Sequence, residues 1–213
     1  TAVLHRVPED MPLDKALLIE PYACAKHCVD RAQITNEDVV VLSGAGTLGL
    51  GMVTYARMQN PARLIVLDMM DQRLEKARAF GADLTWNPSK VNVVEEIMKL
   101  TGGYGCDIYI EATGHPSVTQ GMDMIRKLGR FVEFSVFGAP TTLDWSVIGD
   151  GKELDVLGSH LSPYCYPFVI EHIADGTLKT DGMIRSTFPL EDWETAFDYA
   201  TGKHGDFKVA FTF

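Results

Sequence analysis

The fold of this chain is decided by the stretch Val39-Val40-Val41-Leu42-Ser43-Gly44-Ala45-Gly46-Thr47-Leu48-Gly49. Its apolar, β-branched start predicts a buried strand over 39–43, and the pattern G-x-G-x-x-G follows directly before a predicted helix over 47–59. In such a turn Gly44 permits a sharp change of direction, Gly46 lets a pyrophosphate approach the backbone, and Gly49 lets the helix pack close to the strand. The stretch therefore predicts a dinucleotide-binding turn.

An acidic residue follows this turn at the spacing that a dinucleotide site requires. The apolar run over 63–68 predicts a second strand that closes with Asp68, nineteen residues after Gly49. A carboxylate here can accept hydrogen bonds from both hydroxyls of the adenosine ribose, and it would repel a 2′-phosphate. Met69-Met70 supplies no cation to bind such a phosphate, and Arg73 is expected to flank the adenine or to balance local charge. The sequence therefore predicts NAD in preference to NADP.

The rest of the chain alternates between predicted strands and helices. Further helices are predicted over 22–32, 71–80, 91–100 and 116–127, and further strands over 84–85, 107–111, 130–134 and 154–157. This alternation predicts an α/β fold with a doubly wound, mainly parallel, six-stranded Rossmann sheet. After Gly158 we expect a helix over 163–175, a second helix that starts within 188–193 with Leu190, Trp193, Ala196 and Phe197 on one face, and a final strand over 207–213. These last pieces predict the returning end of a second domain.

Composition limits the classes of partner. The chain has 213 residues, 46% of them hydrophobic and 23% charged, which is typical of a globular protein. The net charge of −10 argues against nucleic acid as a partner. We also expect no membrane association, because no apolar run reaches membrane-spanning length. The four cysteines lack zinc-knuckle spacing and predict reduced, buried thiols in a cytoplasmic protein. Thr1 in place of an initiating methionine suggests further chain upstream.

Motifs along nearly the whole chain resemble those of one enzyme family. Besides the glycine turn with Leu50-Gly51, they are Glu20-Pro21, His27, Asp68 with Arg73-Leu74, Glu111-Ala112-Thr113-Gly114, Gly129-Arg130, Phe188-Pro189-Leu190-Glu191 and Lys208-Val209. Together these motifs resemble the zinc-dependent medium-chain alcohol dehydrogenases and, within them, the polyol (sorbitol-type) dehydrogenases. Among the motifs, only the glycine turn is specific by itself.

The resemblance implies a longer enzyme, in which a GroES-like catalytic domain precedes this region. Residues 1–21 would be a remnant of that domain and a linker, 22–162 the NAD-binding domain, and 163–213 the return to the catalytic domain. Glu20 matches the acidic position at the catalytic zinc, and zinc itself is expected only with the N-terminal domain. The implied reaction is hydride transfer between NAD and a small polyol or secondary alcohol with zinc assistance. The resemblance further implies a homodimer or homotetramer, and this chain alone would bind NAD without turnover.

The site residues are predicted from the rule that ligands bind beyond the carboxyl ends of parallel strands. His160 is the predicted catalytic residue, since it could donate to the nicotinamide or relay a proton; His115 has the same two options, and either could be a plain loop residue. Where sorbitol-type enzymes commonly show an aromatic-Arg-Tyr run, this chain has His160-Leu161-Ser162, so the substrate stays open. The residues expected to contact the cofactor are Gly44, Gly46, Thr47, Leu48, Gly49, Asp68, Met69, Arg73, Ala112, Thr113, Ser135, Val136, Phe137 and Ser159.

Several alternatives stand beside this interpretation. Cys24, His27 and Cys28 share a predicted helix face and could bind a metal with Glu20, but core packing is favoured because Glu20 is expected just outside the helix. Glu111 could be a base, although structural hydrogen bonds to backbone N–H groups are preferred. At the level of function, a non-enzymatic NAD(H)-sensing module and an S-adenosylmethionine-dependent methyltransferase are the two alternatives, because both can use a glycine-rich turn followed by an acid.

Overall fold

The computed structural model describes residues 3–115, 117–202 and 204–213. In these residues six strands form one sheet in the order β3-β2-β1-β4-β5-β6, and each neighbouring pair is parallel. The predicted doubly wound parallel sheet is thus confirmed. The strands are β1 (Val39–Ser43), β2 (Arg63–Leu67), β3 (Leu84–Trp86), β4 (Cys106–Glu111), β5 (Ile125–Glu133) and β6 (Asp155–Gly158).

Helices cover both faces of the sheet. Side chains along β1 alternate between two hydrophobic cores, one on each face of the sheet. Val40 and Leu42 pack into the first core and Val41 into the second, as the two-residue period of a strand requires. The first core is completed by helices α2, α3, α4 and α7, and the second by α5 and α6. The helices are α1 (Leu13–Ala16), α2 (Ile19–Ala32), α3 (Thr47–Met58), α4 (Asp71–Phe80), α5 (Val93–Leu100), α6 (Val118–Met124), α7 (Tyr166–Ala174) and α8 (Trp193–Ala200).

Among the boundaries that differ from the prediction, the start of helix α2 and the end of helix α6 have a clear physical reason. Helix α2 begins at Ile19 and not at 22, because Pro21 lies in the first turn, where a residue needs no N–H for an intrahelical bond. The helix predicted over 116–127 ends at Met124, and strand β5 already begins at Ile125. At this junction the Lys152 ammonium donates to the Ile125 carbonyl over 2.7 Å, which satisfies a carbonyl beyond the helix end. A lysine so distant in sequence gives no local sign of such a cap.

The C-terminal region forms a second, two-stranded parallel sheet. Its strands are β7 (Ile184–Pro189) and β8 (Lys208–Thr212), so residues 188–189 belong to a strand, and the helix predicted to start within 188–193 begins at Trp193. A 3-10 turn over Leu190–Asp192 leads from β7 into helix α8. Strand β7 was not predicted, because its partner lies about twenty residues later.

The apolar face of this last helix is only partly covered. Ala196 is buried, whereas Leu190, Trp193 and Phe197 are 51%, 52% and 64% exposed. Within the described ranges, none of the helices has the length and apolarity that crossing a bilayer would require.

Candidate functional site

A cleft of about 630 Å³ opens at the carboxyl edge of the sheet, where β1 lies between β2 and β4. Chain connections leave this point in opposite directions, which is where open α/β sheets bind ligands. Its volume falls in the range of small-molecule and cofactor sites. The cleft is lined by Ser43, Gly44, Gly46, Leu67, Asp68, Met69, Met70, Arg73, Pro88, Ala112, Thr113, His115, Ser117 and Gln120.

The three glycines of the turn have different surroundings. At Gly44 the backbone has φ +105°, and a Cβ atom would lie 2.4 Å from the Ala112 carbonyl oxygen. At Gly49 a Cβ atom would lie 2.0 Å from the Gly44 carbonyl oxygen. At Gly46, by contrast, a Cβ atom would meet no atom of the described residues within 4 Å. The first and third glycines are therefore required by the protein itself, and the second borders open space.

The open space at Gly46 faces the start of helix α3. Gly46 is the N-cap of that helix, and among the described residues no side chain caps it. The first N–H groups of an uncapped helix lack intrahelical partners and carry the positive end of the helix dipole, which favours an anion. The Thr47 hydroxyl donates to the Phe207 carbonyl, so the C-terminal segment reaches this end of the helix.

Asp68 lies against the glycine turn. One of its carboxylate oxygens accepts from the Ala45 N–H over 2.8 Å, and the other accepts from the Met70 N–H over 2.9 Å. Its side chain is 8% exposed, and the nearest Arg73 nitrogen lies 3.8 Å away. Two backbone donors thus fix the carboxylate at the mouth of the cleft, although neither donor could be inferred from the spacing that predicted Asp68.

The opposite wall of the cleft is the segment 112–115, which a buried carboxylate holds in place. Glu111 is fully buried, and one oxygen accepts from the Thr113 N–H and the Ser117 hydroxyl, both over 2.9 Å. The Gly114 N–H donates to the Ser135 hydroxyl over 3.0 Å. The preferred interpretation of Glu111, structural hydrogen bonding to backbone, is confirmed.

Half of the predicted cofactor residues lie in this cleft. They are Gly44, Gly46, Asp68, Met69, Arg73, Ala112 and Thr113. Ser135 contacts the cleft wall through the hydrogen bond from Gly114. The first residues of helix α3, behind the cleft, are Thr47, Leu48 and Gly49. The remaining predicted residues lie elsewhere on the carboxyl edge of the sheet: Val136, Phe137, Ser159 and His160. Val136 is 91% exposed and His160 is exposed, so their roles stay predictions. Among the lining residues that the sequence analysis missed, Ser43 ends β1 just before the glycine turn and Gln120 lies in α6, which carries no motif.

The residues present fit a dinucleotide. Gly46 leaves room for a diphosphate at the start of α3, Asp68 offers a carboxylate one strand away for a ribose, and the 112–115 segment forms the far wall. These are the three groups that a dinucleotide needs in a doubly wound sheet.

The residues that the structure describes do not form a zinc site by themselves. In the part of the chain that the structure describes, no three His, Cys, Asp or Glu side chains are grouped to hold a metal. Glu20 was expected outside helix α2, which is wrong: it lies in the first turn and accepts from the Cys24 thiol over 3.2 Å. Burial and the neighbouring Glu20 raise the pKa of the Cys24 thiol to about 11, so this thiol is protonated at neutral pH in the structure described. Cys24 and Cys28 are both buried, in agreement with the favoured core packing.

Comparison with known proteins identifies the family. Residues 47–175 match the family described as zinc-binding dehydrogenase, which is more than half of the chain. The chain belongs to the zinc-binding dehydrogenase family. Membership of this family favours a dehydrogenase over a methyltransferase.

The similar proteins agree with this assignment. The chain is 49% identical over 204 residues to the erythritol/L-threitol dehydrogenase of Mycolicibacterium smegmatis, a match that covers 95% of the chain and 56% of that protein. It is 28% identical over 198 residues to the sorbitol dehydrogenase of Halalkalibacterium halodurans, a match that covers 91% of the chain and 57% of that protein. An alcohol dehydrogenase of Escherichia coli CFT073, solved with NADH, superposes with a TM-score of 0.86 at 28% identity over 98% of the chain and 62% of the solved protein. The zinc-binding dehydrogenase chain thus spans little more than half the length of its curated relatives.

Proposed function

We propose that this chain is the NAD(H)-binding part of an enzyme that transfers a hydride between NAD and a polyol or secondary alcohol. The observation that carries the proposal is the open space at Gly46 beside the fixed carboxylate of Asp68. The NADH complex of the similar E. coli dehydrogenase supports it. Asp68 would accept from the ribose hydroxyls and disfavour a 2′-phosphate, so we propose NAD and not NADP as the cofactor.

The residues of this chain bind and orient the cofactor. The N–H groups at the start of α3 hold the diphosphate, Asp68 holds the adenosine ribose, and the 112–115 segment bounds the nicotinamide half. Bound NAD supplies the hydride acceptor, and the protein supplies position and electrostatics. Zinc assistance stays a prediction from the family resemblance, and none of these roles depends on it.

We propose a small linear polyol as the substrate class. The support is the 49% identity to an erythritol/L-threitol dehydrogenase, together with matches to D-arabitol-phosphate and sorbitol dehydrogenases. Nothing in the cleft residues selects among these alcohols. His160 stays the proposed catalytic candidate and Glu20 the proposed metal-site residue.

The domain division and the assembly are further parts of the proposal. We propose that residues 163–213 return to a second domain, which would cover the exposed Leu190, Trp193 and Phe197. We propose a homodimer or homotetramer, supported by the position of β6 at the edge of the sheet. The four cysteines are free and buried, which supports a reducing, cytoplasmic location.

Cofactor binding is tested by titrating the chain with NADH, NADPH and S-adenosylmethionine in separate fluorescence or calorimetric experiments. We expect saturable binding of NADH, weaker binding of NADPH and no binding of S-adenosylmethionine. Equal affinity for NADPH would contradict the role given to Asp68, and failure of both nucleotides to bind would contradict the proposed function. A non-enzymatic sensing module would bind NADH equally well. In that case the longer protein that contains this chain would not reduce NAD with erythritol, threitol or sorbitol.

A further inference from the structure

Asn87 is a buried polar residue at the carboxyl edge of the sheet, directly after strand β3. It is 7% exposed and lies outside the lining of the cleft. Leu67 and Trp86, the last residues of β2 and β3, are register partners, so the loops that follow these two strands start side by side. Asn87 is therefore placed where its side chain can contact both loops.

All four hydrogen-bonding positions of the Asn87 side chain are used. Its amide nitrogen donates to the Met69 carbonyl over 2.9 Å and to a carboxylate oxygen of Asp71 over 3.0 Å. Its amide oxygen accepts from the Ser89 N–H over 3.0 Å and from the Ser89 hydroxyl over 2.6 Å. A side-chain amide has two donor hydrogens and an oxygen with two lone pairs, so this one is fully satisfied. The side chain ties the loop after β2 to the loop after β3.

The two loops that Asn87 connects supply one wall of the cleft. Met69 and Met70 come from the loop after β2, and Pro88 is the residue that follows Asn87. Their side chains are apolar, and Met69 is 71% exposed, so it presents apolar surface that a ligand could cover. Asp68 directly precedes Met69, which puts this wall on the side of the cleft proposed for adenosine. Apolar walls of this kind suit the flat faces of a purine base.

We propose that Asn87 is a positioning residue for the adenine of the dinucleotide, because its side chain holds Met69 and Pro88 at a fixed separation. This inference rests on the proposed function, since it needs an adenosine at Asp68. The bond from the Ser89 N–H to the Asn87 side chain closes a turn around Pro88 and so sets the backbone of that residue. A wall that is already ordered raises affinity, because less conformational freedom is lost when the base binds.

The test compares three ligands of increasing length on the whole chain. AMP contains the adenosine end, ADP-ribose adds the second phosphate and ribose, and NADH adds the nicotinamide. Asn87→Asp keeps the shape of the side chain but puts an oxygen where the amide donates to Met69 and Asp71. We expect about tenfold weaker binding of all three ligands, because both donations are lost. The ratio of NADH to ADP-ribose affinity, which reports the nicotinamide end, should stay unchanged.

Asn92→Asp is the matched control for Asn87→Asp. It makes the same chemical change in the same loop, but Asn92 is the N-cap of α5 and lies outside the cleft lining. An aspartate caps a helix as well as an asparagine does. We therefore expect the affinities for AMP, ADP-ribose and NADH to change by less than about twofold, as for a surface substitution.

Two variants at the exposed Asp71 test the same connection if Asn87→Asp does not fold. Asp71→Asn keeps an oxygen that can accept from Asn87 but loses the charge that pairs with Lys90, whereas Asp71→Ala loses both. We expect AMP to bind about threefold more weakly to Asp71→Ala, since one of the bonds that hold the loops is lost. Asp71→Asn should bind AMP like the unaltered chain, because the acceptor is retained.

The outcomes separate this inference from the proposed function. If NADH binds but Asn87→Asp leaves the affinity for AMP unchanged, the inference is wrong and the proposed function stands. The inference is also wrong if Asn87→Asp alters the ratio of NADH to ADP-ribose affinity, or if both Asp71 variants weaken AMP binding equally. If neither NADH nor ADP-ribose binds the unaltered chain, the proposed function fails and the inference fails with it.

Discussion

The two ends of the cleft differ in how their polar groups are held. The end next to the glycine turn is formed by three glycines and the carboxylate of Asp68. Both oxygens of this carboxylate already accept hydrogen bonds from backbone N–H groups. At the other end, Glu111 and Glu133 are register partners at the ends of β4 and β5, just outside the cleft lining, and one oxygen of Glu111 has no partner in the described residues. The first end is a rigid frame whose polar atoms are paired, whereas the second, charged end holds a carboxylate, that of Glu133, whose pKa of about 7 lets its charge change with pH.

The largest expected effect is a loss of stability, and it distinguishes Gly49 from Gly46 in the glycine turn of the rigid end. Gly49→Ala places a Cβ atom 2.0 Å from the Gly44 carbonyl oxygen, so the helix must move away from the strand. We expect a loss of about 3 kcal/mol or more in the free energy of unfolding, the upper range for an overpacked core. Urea unfolding followed by circular dichroism measures the loss.

Gly46→Ala is the matched control, because its Cβ atom meets no described atom within 4 Å. We expect this variant to fold with nearly unchanged stability and to lose NADH affinity, since the methyl group would occupy the space proposed for the diphosphate. Unchanged NADH binding in a folded Gly46→Ala variant would argue against a diphosphate at this turn.

The next effect concerns the carboxylate that completes the rigid end. Asp68→Asn replaces a charged acceptor of ribose hydroxyls with a neutral amide, and we expect about tenfold weaker NADH binding. NADPH affinity should fall less or rise, because the repulsion of a 2′-phosphate is removed and Arg73 lies nearby. Parallel titrations with the two reduced cofactors measure the change in their ratio.

Asp83→Asn is the control for Asp68→Asn. Asp83 also accepts a backbone N–H, that of Leu64 over 2.7 Å, but it lies outside the cleft lining. Loss of the negative charge, which also pairs with Arg57, should lower stability without changing the ratio of NADH to NADPH affinity. If both variants change the ratio equally, Asp68 has no direct part in choosing the cofactor.

A smaller effect on stability is expected at the charged end. The pKa of Glu133 is raised from its usual value near 4.5 to about 7 by folding, so between these values the folded chain binds more protons than the unfolded chain. Stability contributed by Glu133 therefore falls as pH rises from 4.5 to 7 and is constant above that range. Because the side chain is partly exposed, we expect a fall on the order of 1 kcal/mol.

Urea unfolding at pH 5 and pH 8 checks this expectation. The difference in stability between Glu133→Gln and the unaltered chain should shift in favour of Glu133→Gln by that amount from pH 5 to pH 8. Glu171→Gln, on the exposed surface of α7, should show no such shift. A parallel pH response of the unaltered chain and Glu133→Gln would mean that Glu133 keeps its ordinary pKa in the folded state.

The rigid end could be predicted from the sequence, and the charged end could not. The turn, the helix after it and Asp68 lie within thirty residues of one another, so their spacing alone reveals a strand–turn–helix–strand unit. Glu133 lies in no motif, and its role depends on which residue of β4 it faces. Strand register over such distances cannot be inferred from a single sequence.

The same reasoning explains the errors in the predicted elements. Strand β7 needs β8 as a partner, and the end of α6 depends on Lys152, so both are decided by contacts that are remote in sequence. The sequence predicts Glu20 outside its helix because a proline disfavours the helical conformation in the residue before it, but proline is tolerated in a first turn. Local patterns therefore gave the order of the elements more accurately than their ends.

The smallest expected effect concerns His160, the predicted catalytic residue. It lies on the carboxyl edge but is exposed and outside the cleft lining, so a role in holding the dinucleotide has no support from its position. We expect His160→Gln to change the affinity for NAD+ and for NADH by less than about twofold, as for an exposed side chain without partners in the site. Titration of this variant beside Gly46→Ala measures the difference. A loss of affinity comparable with that of Gly46→Ala would extend the cofactor site to the end of β6. Unchanged binding together with lost turnover in the enzyme that contains this chain would instead leave His160 a part in the hydride-transfer step alone.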